Sequence, residues 1–170
     1  MRIIGITAGM LVLIGGLAYG YHLYRDAQRP EAFQESPGFT LYDYQGGEVE
    51  LSDFTDKLVI AHAWASWCVY CAEELQNLAK LKEQYGEQIV VVAVNRAEPQ
   101  LVAKDFTDKL DLPPGVLLLL DPTDAFYKKN QGYAMPETIG LLPDGTVLFH
   151  QRGPLKAAEL TGYIESAILK

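Results

Sequence analysis

The chain is poor in several residue types, and each shortage narrows what it can do. It has two cysteines, Cys68 and Cys71, and three histidines, His22, His62 and His150. A structural zinc site takes about four ligands, and these histidines stand at no zinc-finger spacing from one another or from the cysteines. Covalent haem attachment needs His directly after the second cysteine of the pair; position 72 is Ala. A staple between residues three apart would close a small loop and restrain the unfolded chain little. Basic clusters are absent as well: 14 Lys and Arg stand against 22 Asp and Glu, for a net charge of −8. That balance argues against binding nucleic acid or an anionic membrane surface through charge. No cysteine lies near the N-terminus, so a lipoprotein signal is ruled out.

The longest gap of all is in charge. Residues 3–24 contain no Lys, Arg, Asp or Glu and are bounded by Arg2 and Arg25. As a helix this run would span about 33 Å, against a hydrocarbon core of about 30 Å. Tyr19, Tyr21, His22 and Tyr24 gather at its far end, as residues of an interfacial belt do. A cleaved signal peptide is the rival, but its apolar region would be shorter, and no convincing Ala-x-Ala site follows. We therefore expect a single-pass anchor over 3–24, a polar linker over 25–37 containing Pro30 and Pro37, and a folded domain over 38–170. The flanking charges orient the anchor only weakly. One N-terminal segment followed by a domain places that domain outside the cytoplasm, periplasmic or on the outer surface, where disulfide chemistry is at home.

The domain alternates strand and helix signals. A hairpin is expected around Gln45-Gly46-Gly47, then an apolar strand over 58–64 and a helix from Cys68 to about Tyr85 with Gly86 past its end. The β-branched run 89–94 reads as a central strand buried on both faces. A helix follows Pro99, a buried strand covers 116–120, and a short helix covers 124–130. Strands 138–142 and 146–151 flank Pro143-Asp144-Gly145, and an amphipathic helix over 156–169 closes the chain. This order implies an α/β fold with a mixed central sheet and helices on both faces.

The Cys68-Val69-Tyr70-Cys71 motif lies between the first apolar strand and the helix after it. Two intervening residues place both sulfurs on one turn, close enough to bond when oxidised, near backbone N–H groups that favour a thiolate. This is an arrangement for reversible dithiol–disulfide chemistry.

The motif has further context: Leu51-Ser-Asp-Phe54, Trp64-Ala-Ser-Trp-Cys-Val-Tyr-Cys71, Glu74, Met135-Pro136-Glu137-Thr138, Leu142-Pro-Asp-Gly145 and Gly153. With these, the chain resembles the membrane-anchored TlpA/ResA-like thiol–disulfide oxidoreductases of the thioredoxin fold, from about Gly38 to the C-terminus. The resemblance implies that Cys68 is the exposed nucleophile and Cys71 the resolving thiol. It implies that Pro136 is a cis-proline against the cysteines, leaving Met135 to pair with an extended peptide. Trp67 would shield the sulfurs and, with Val69, Tyr70 and Met135, form the docking surface. Glu74 would accept the resolving thiol's proton, its pKa raised by burial, while neighbouring Glu73 reads as a surface charge.

Two positions depart from the family. Gln76 stands where a proline is usual, so the helix should be straighter. His62 occupies the strand position of a buried Asp or Asn; it is either a neutral core imidazole or a second proton acceptor or charge that tunes the thiols. His150 is expected to project into solvent. No dissociable cofactor or metal is implied beyond the Cys68–Cys71 pair itself. The implied partners are proteins bearing thiols or disulfides, apocytochrome thiols among them, and an upstream membrane thiol donor or acceptor. Val69-Tyr70 offers no cation to stabilise a thiolate, which leans the pair toward a reductant. Three rivals stand beside this reading. A thiol peroxidase would want Pro-x-x-x-Thr-x-x-Cys; a Sco-like copper carrier would want Cys-x-x-x-Cys; a docking module would keep its cysteines oxidised.

Overall fold

The computed structural model describes residues 15–20, 40–54 and 56–169. The chain divides into two units, residues 1–31 and 32–170. In the first, residues 15–20 are helical; the rest of the expected anchor, and the linker, lie outside the described residues. No helix among the described residues is long and apolar enough to cross a membrane.

The second unit is built on a seven-stranded sheet. Its strands are β1 (Leu41–Asp43), β2 (Glu48–Val49), β3 (Leu58–Trp64), β4 (Ile89–Arg96), β5 (Val116–Asp121), β6 (Glu137–Leu141) and β7 (Val147–Arg152). They lie in the order β2-β1-β5-β4-β3-β6-β7, with β3, β4 and β5 parallel and the rest antiparallel to their neighbours. Every residue of β3 is buried, as is β4 up to Asn95, because helices cover both faces.

Strand alternation divides the core. Leu58, Ile60 and Val91 face helix α1 (Cys71–Tyr85), through Leu78, Leu81 and Tyr85, and helix α4 (Ala157–Ile168), through Leu160 and Ile164. Val59, Ala61, Ala63, Val92 and Val94 face the other way, onto Phe126 and Tyr127 of α3 (Ala125–Lys129) and Leu51 of a 3₁₀ turn. Helix α2 (Gln100–Asp108) brings Ala103 and Phe106 against Trp64 at the top of β3.

The mixed sheet with helices on both faces is as expected, and α1 runs unbroken past Gln76 to Gly86, whose φ of 54° ends it. Two local expectations need correction. The helix begins at Cys71, not Cys68. Strand β5 is buried only from Leu119 onward, because β1 is short and pairs with Leu119 and Leu120 alone.

Candidate functional site

The site forms where β3 ends. Trp64 is fully buried and stacks on Phe106 at 5.3 Å, and the chain then turns sharply. The Cys68 N–H donates to the Ala65 carbonyl at 3.1 Å, and the Cys71 N–H to the Cys68 carbonyl at 3.3 Å. That turn delivers Cys71 as the first residue of α1 and sets Cys68 just ahead of it, and the two sulfurs are bonded at 2.04 Å. Cys71 has no exposed surface; Cys68 keeps 6 % of its own, less than an exposed nucleophile was expected to show. Of the pair, it is nevertheless the sulfur with surface open to a partner. Around it Trp67, Val69 and Tyr70 are exposed. Beneath the sulfurs the apolar packing comes from Trp64, Leu75 and Ala93, with Met135 packed against the same cluster.

A second loop holds this turn. Glu98, between β4 and α2, accepts from the Ser66 N–H at 2.8 Å, the Ser66 hydroxyl at 2.6 Å and the Asn95 amide at 2.7 Å. Asn95 is fully buried, and its carbonyl oxygen accepts the Glu98 N–H at 3.2 Å. Sequence reading passed over this clamp. Its one trace is the pair of polar residues, Asn95 and Glu98, directly after an apolar strand.

Glu74 lies one turn past Cys71 on α1 and is buried, while Glu73 is exposed. Its Oε1 accepts the Leu155 N–H at 3.0 Å, from the chain leading into α4. Burial pushes its pKa up to about 7, with Glu73 adding repulsion and the Leu155 N–H pulling the other way. A partly open crevice of about 10 Å³ beside it, lined by Asn77, Leu78, Thr138 and Leu155, has room for about one water.

His62 is fully buried on the same face of the sheet. Its Nδ1 lies 2.9 Å from the Thr138 hydroxyl and 3.8 Å from Glu74 Oε2. Burial pushes its pKa down to about 3, which favours the neutral imidazole. Nε2 has no hydrogen-bond partner among the described residues.

The Met135–Pro136 peptide is cis. Met135 is half-buried and packs against the cluster that contains both cysteines. Its backbone N–H and C=O make no hydrogen bond to any described residue. His150 departs from expectation: it is half-buried, and its Nε2 lies 2.5 Å from Oε1 of the buried Glu137.

The chain is similar to several known proteins. Residues 33–150 match the AhpC/TSA family. This chain belongs to the AhpC/TSA family. It is 27% identical over 161 residues to the thiol-disulfide oxidoreductase ResA of Bacillus thuringiensis subsp. konkukian, covering 92% of this chain and 91% of that protein. It is 32% identical over 120 residues to the thioredoxin-like protein YneN of Bacillus subtilis, covering 65% of this chain and 69% of that one. Among solved structures, a protein of Chlorobium tepidum described as a DsbE thiol:disulfide interchange protein superposes with a TM-score of 0.70. That match is at 27% identity, over 78% of this chain and 94% of that one. The fold is thus thioredoxin-like, the ResA-like resemblance stands, and the enzyme class is thiol–disulfide oxidoreductase.

Proposed function

We propose that this chain reduces disulfides in other proteins outside the cytoplasm, tethered to the membrane by residues 3–24 and held off it by 25–37. The observation that carries the exchange reading is the redox pair itself: one sulfur sealed, one reachable, beside the unpaired backbone of Met135.

In the reduced state the Cys68 thiolate attacks one sulfur of a partner disulfide. A Cys68–partner bond forms, the partner's S–S bond breaks, and its leaving thiolate takes a proton. Cys71 then gives its proton to Glu74 and attacks Cys68 Sγ, releasing the second partner thiolate and leaving the Cys68–Cys71 disulfide. Two electrons pass from this dithiol to the partner disulfide, and an upstream membrane dithiol restores them. A Glu74 pKa near 7 matches that proton step to neutral pH. No dissociable cofactor or metal enters the cycle. Trp67, Val69 and Tyr70 form the surface on which the partner lands, and His62 orients Thr138, two residues past Pro136, as a neutral hydrogen-bonding group.

The lean toward reduction rests on charge. No cation lies between the cysteines, and the Glu98 carboxyl is bound to Ser66, two residues before Cys68. Anionic surroundings disfavour a thiolate and so the reduced form. The deciding measurement is the reduction potential of Cys68–Cys71. A value near that of thioredoxin, about −270 mV, fits a reductant, and one near the oxidant DsbA, about −120 mV, would sink the reading. The exchange itself is tested by Cys71→Ser in the full chain, expressed in cells. Mixed disulfides should accumulate on Cys68 and be lost in the double variant with Cys68→Ser.

A further inference from the structure

The segment 130–137, which carries Met135, is fastened to its surroundings at several points, among them these five. The Asn130 carbonyl accepts from Arg152 Nη2 at 2.9 Å. The Gly132 N–H donates to the Tyr127 carbonyl at 3.0 Å, and the Tyr127 hydroxyl reaches the Ala134 carbonyl at 3.4 Å. The Pro136 carbonyl accepts the Gly153 N–H at 2.8 Å. The fifth is the Glu137 side chain, fully buried, with His150 Nε2 at 2.5 Å and Arg152 Nε at 3.6 Å from the same oxygen. Glu137 faces Arg152 across the β6–β7 ladder, and His150 is paired with Ile139, so both side chains reach Glu137 on one face of the hairpin.

A carboxyl group stripped of water is costly unless cations and donors meet it. Here they come from β7, and Arg152 does more than neutralise. It bridges Glu137, at the end of the segment, to Asn130, at its start, and its guanidinium lies 5.3 Å from the ring of exposed Tyr133. Tyr127 is itself held under the guanidinium of Arg96, which Asp124 grips through two nitrogens. A side chain at Gly132 would run into Glu137 Oε2 and the Tyr127 ring, so the segment lies directly on the carboxyl. Within this frame, Met135 presents an N–H and C=O with no partner among the described residues, and it packs against the cluster that holds the disulfide.

We propose that His150 and Arg152 are positioning residues: by holding Glu137 and Asn130 they set the Met135 backbone edge in the place where it receives a partner's extended strand. This rests on the docking role given to Met135 above. Such preorganisation lowers the cost of binding a polypeptide and does nothing for a small disulfide that needs no strand pairing.

The test compares two oxidants of the reduced full-length chain, insulin and Ellman's reagent, in His150→Leu, His150→Gln and Arg152→Leu. The ratio of insulin rate to Ellman's rate should fall about tenfold in His150→Leu and Arg152→Leu, equivalent to about 1.4 kcal/mol. His150→Gln, which keeps an N–H donor for Glu137, should recover most of it. Should Arg152→Leu fail to fold, the His150 pair still decides. Equal losses toward both oxidants, or no loss, would overturn the proposal. Hydrogen exchange at the Met135 amide, in Cys71→Ser trapped with a cysteine peptide, separates the two levels. An unprotected amide refutes docking at Met135 and with it the proposal. A protected amide with an unchanged rate ratio refutes only the role of His150 and Arg152.

Discussion

Replacing Glu74 with Gln should make the oxidised protein more stable, and only at the alkaline end. The side chain is 9% exposed and its pKa is displaced from 4.5 to about 7, mostly by burial. Because the folded value lies above the unfolded one, the fold holds this group comfortably below about pH 4.5. The penalty builds as pH rises to 7 and is complete above it. At 1.36 kcal/mol per pH unit, the displacement amounts to about 3 kcal/mol. Gln has the same shape, retains an oxygen for the Leu155 N–H, and never ionises. Urea unfolding followed by tryptophan fluorescence should therefore show the variant and parent alike at about pH 4.5. By about pH 8 the variant should lead by about 3 kcal/mol. The cost appears in catalysis: with no proton acceptor beside Cys71, release of a trapped partner should slow by about 100-fold. A stability difference that does not change with pH, or a parent more stable at pH 8 than the variant, would refute the reasoning.

Two further substitutions probe the frame around the disulfide. Glu98→Ala removes the acceptor of three hydrogen bonds and leaves the buried Asn95 amide unpaired, a loss of about 1–3 kcal/mol in urea unfolding; the reduced variant should also alkylate faster at Cys68. Gly140→Ala drives a methyl group into the ring of Phe149 across the hairpin and should cost about 1–3 kcal/mol. Thermal melting of Gly140→Ala with Phe149→Leu should recover part of that loss.

What could be read in advance was whatever leaves a periodic or punctuated trace. β3 and β4 announce themselves as unbroken apolar runs because both faces are covered, and the β6–β7 hairpin by Pro143-Asp144-Gly145, where Gly145 takes a φ of 80°. The cysteine pair and Pro136 stand at separations characteristic enough to name a family. The Ser66–Glu98–Asn95 clamp left almost no trace, since a polar side chain bridging two loops obeys no period. His150 failed for a subtler reason. Alternation along β7 correctly sends Phe149 to the α1/α4 side and His150 to the opposite one. That opposite side is not solvent: Tyr127 and the segment 130–137 lie there, with Glu137 beneath them. The alternating pattern ends at Trp64, which is fully buried, and beyond it the turn leaves Trp67 exposed.

The bond from Leu155 to Glu74 also gives the molecule its own indicator dye. The Leu155 amide is buried, lies outside the chemistry, and points its hydrogen at the carboxyl that titrates near neutral pH. Its nitrogen and proton resonances should move as Glu74 gains or loses charge, tracing that one titration in oxidised and reduced protein alike without labelling either cysteine. The protonation of the site can thus be followed from an amide distant in sequence but in contact with it, at the threshold of helix α4.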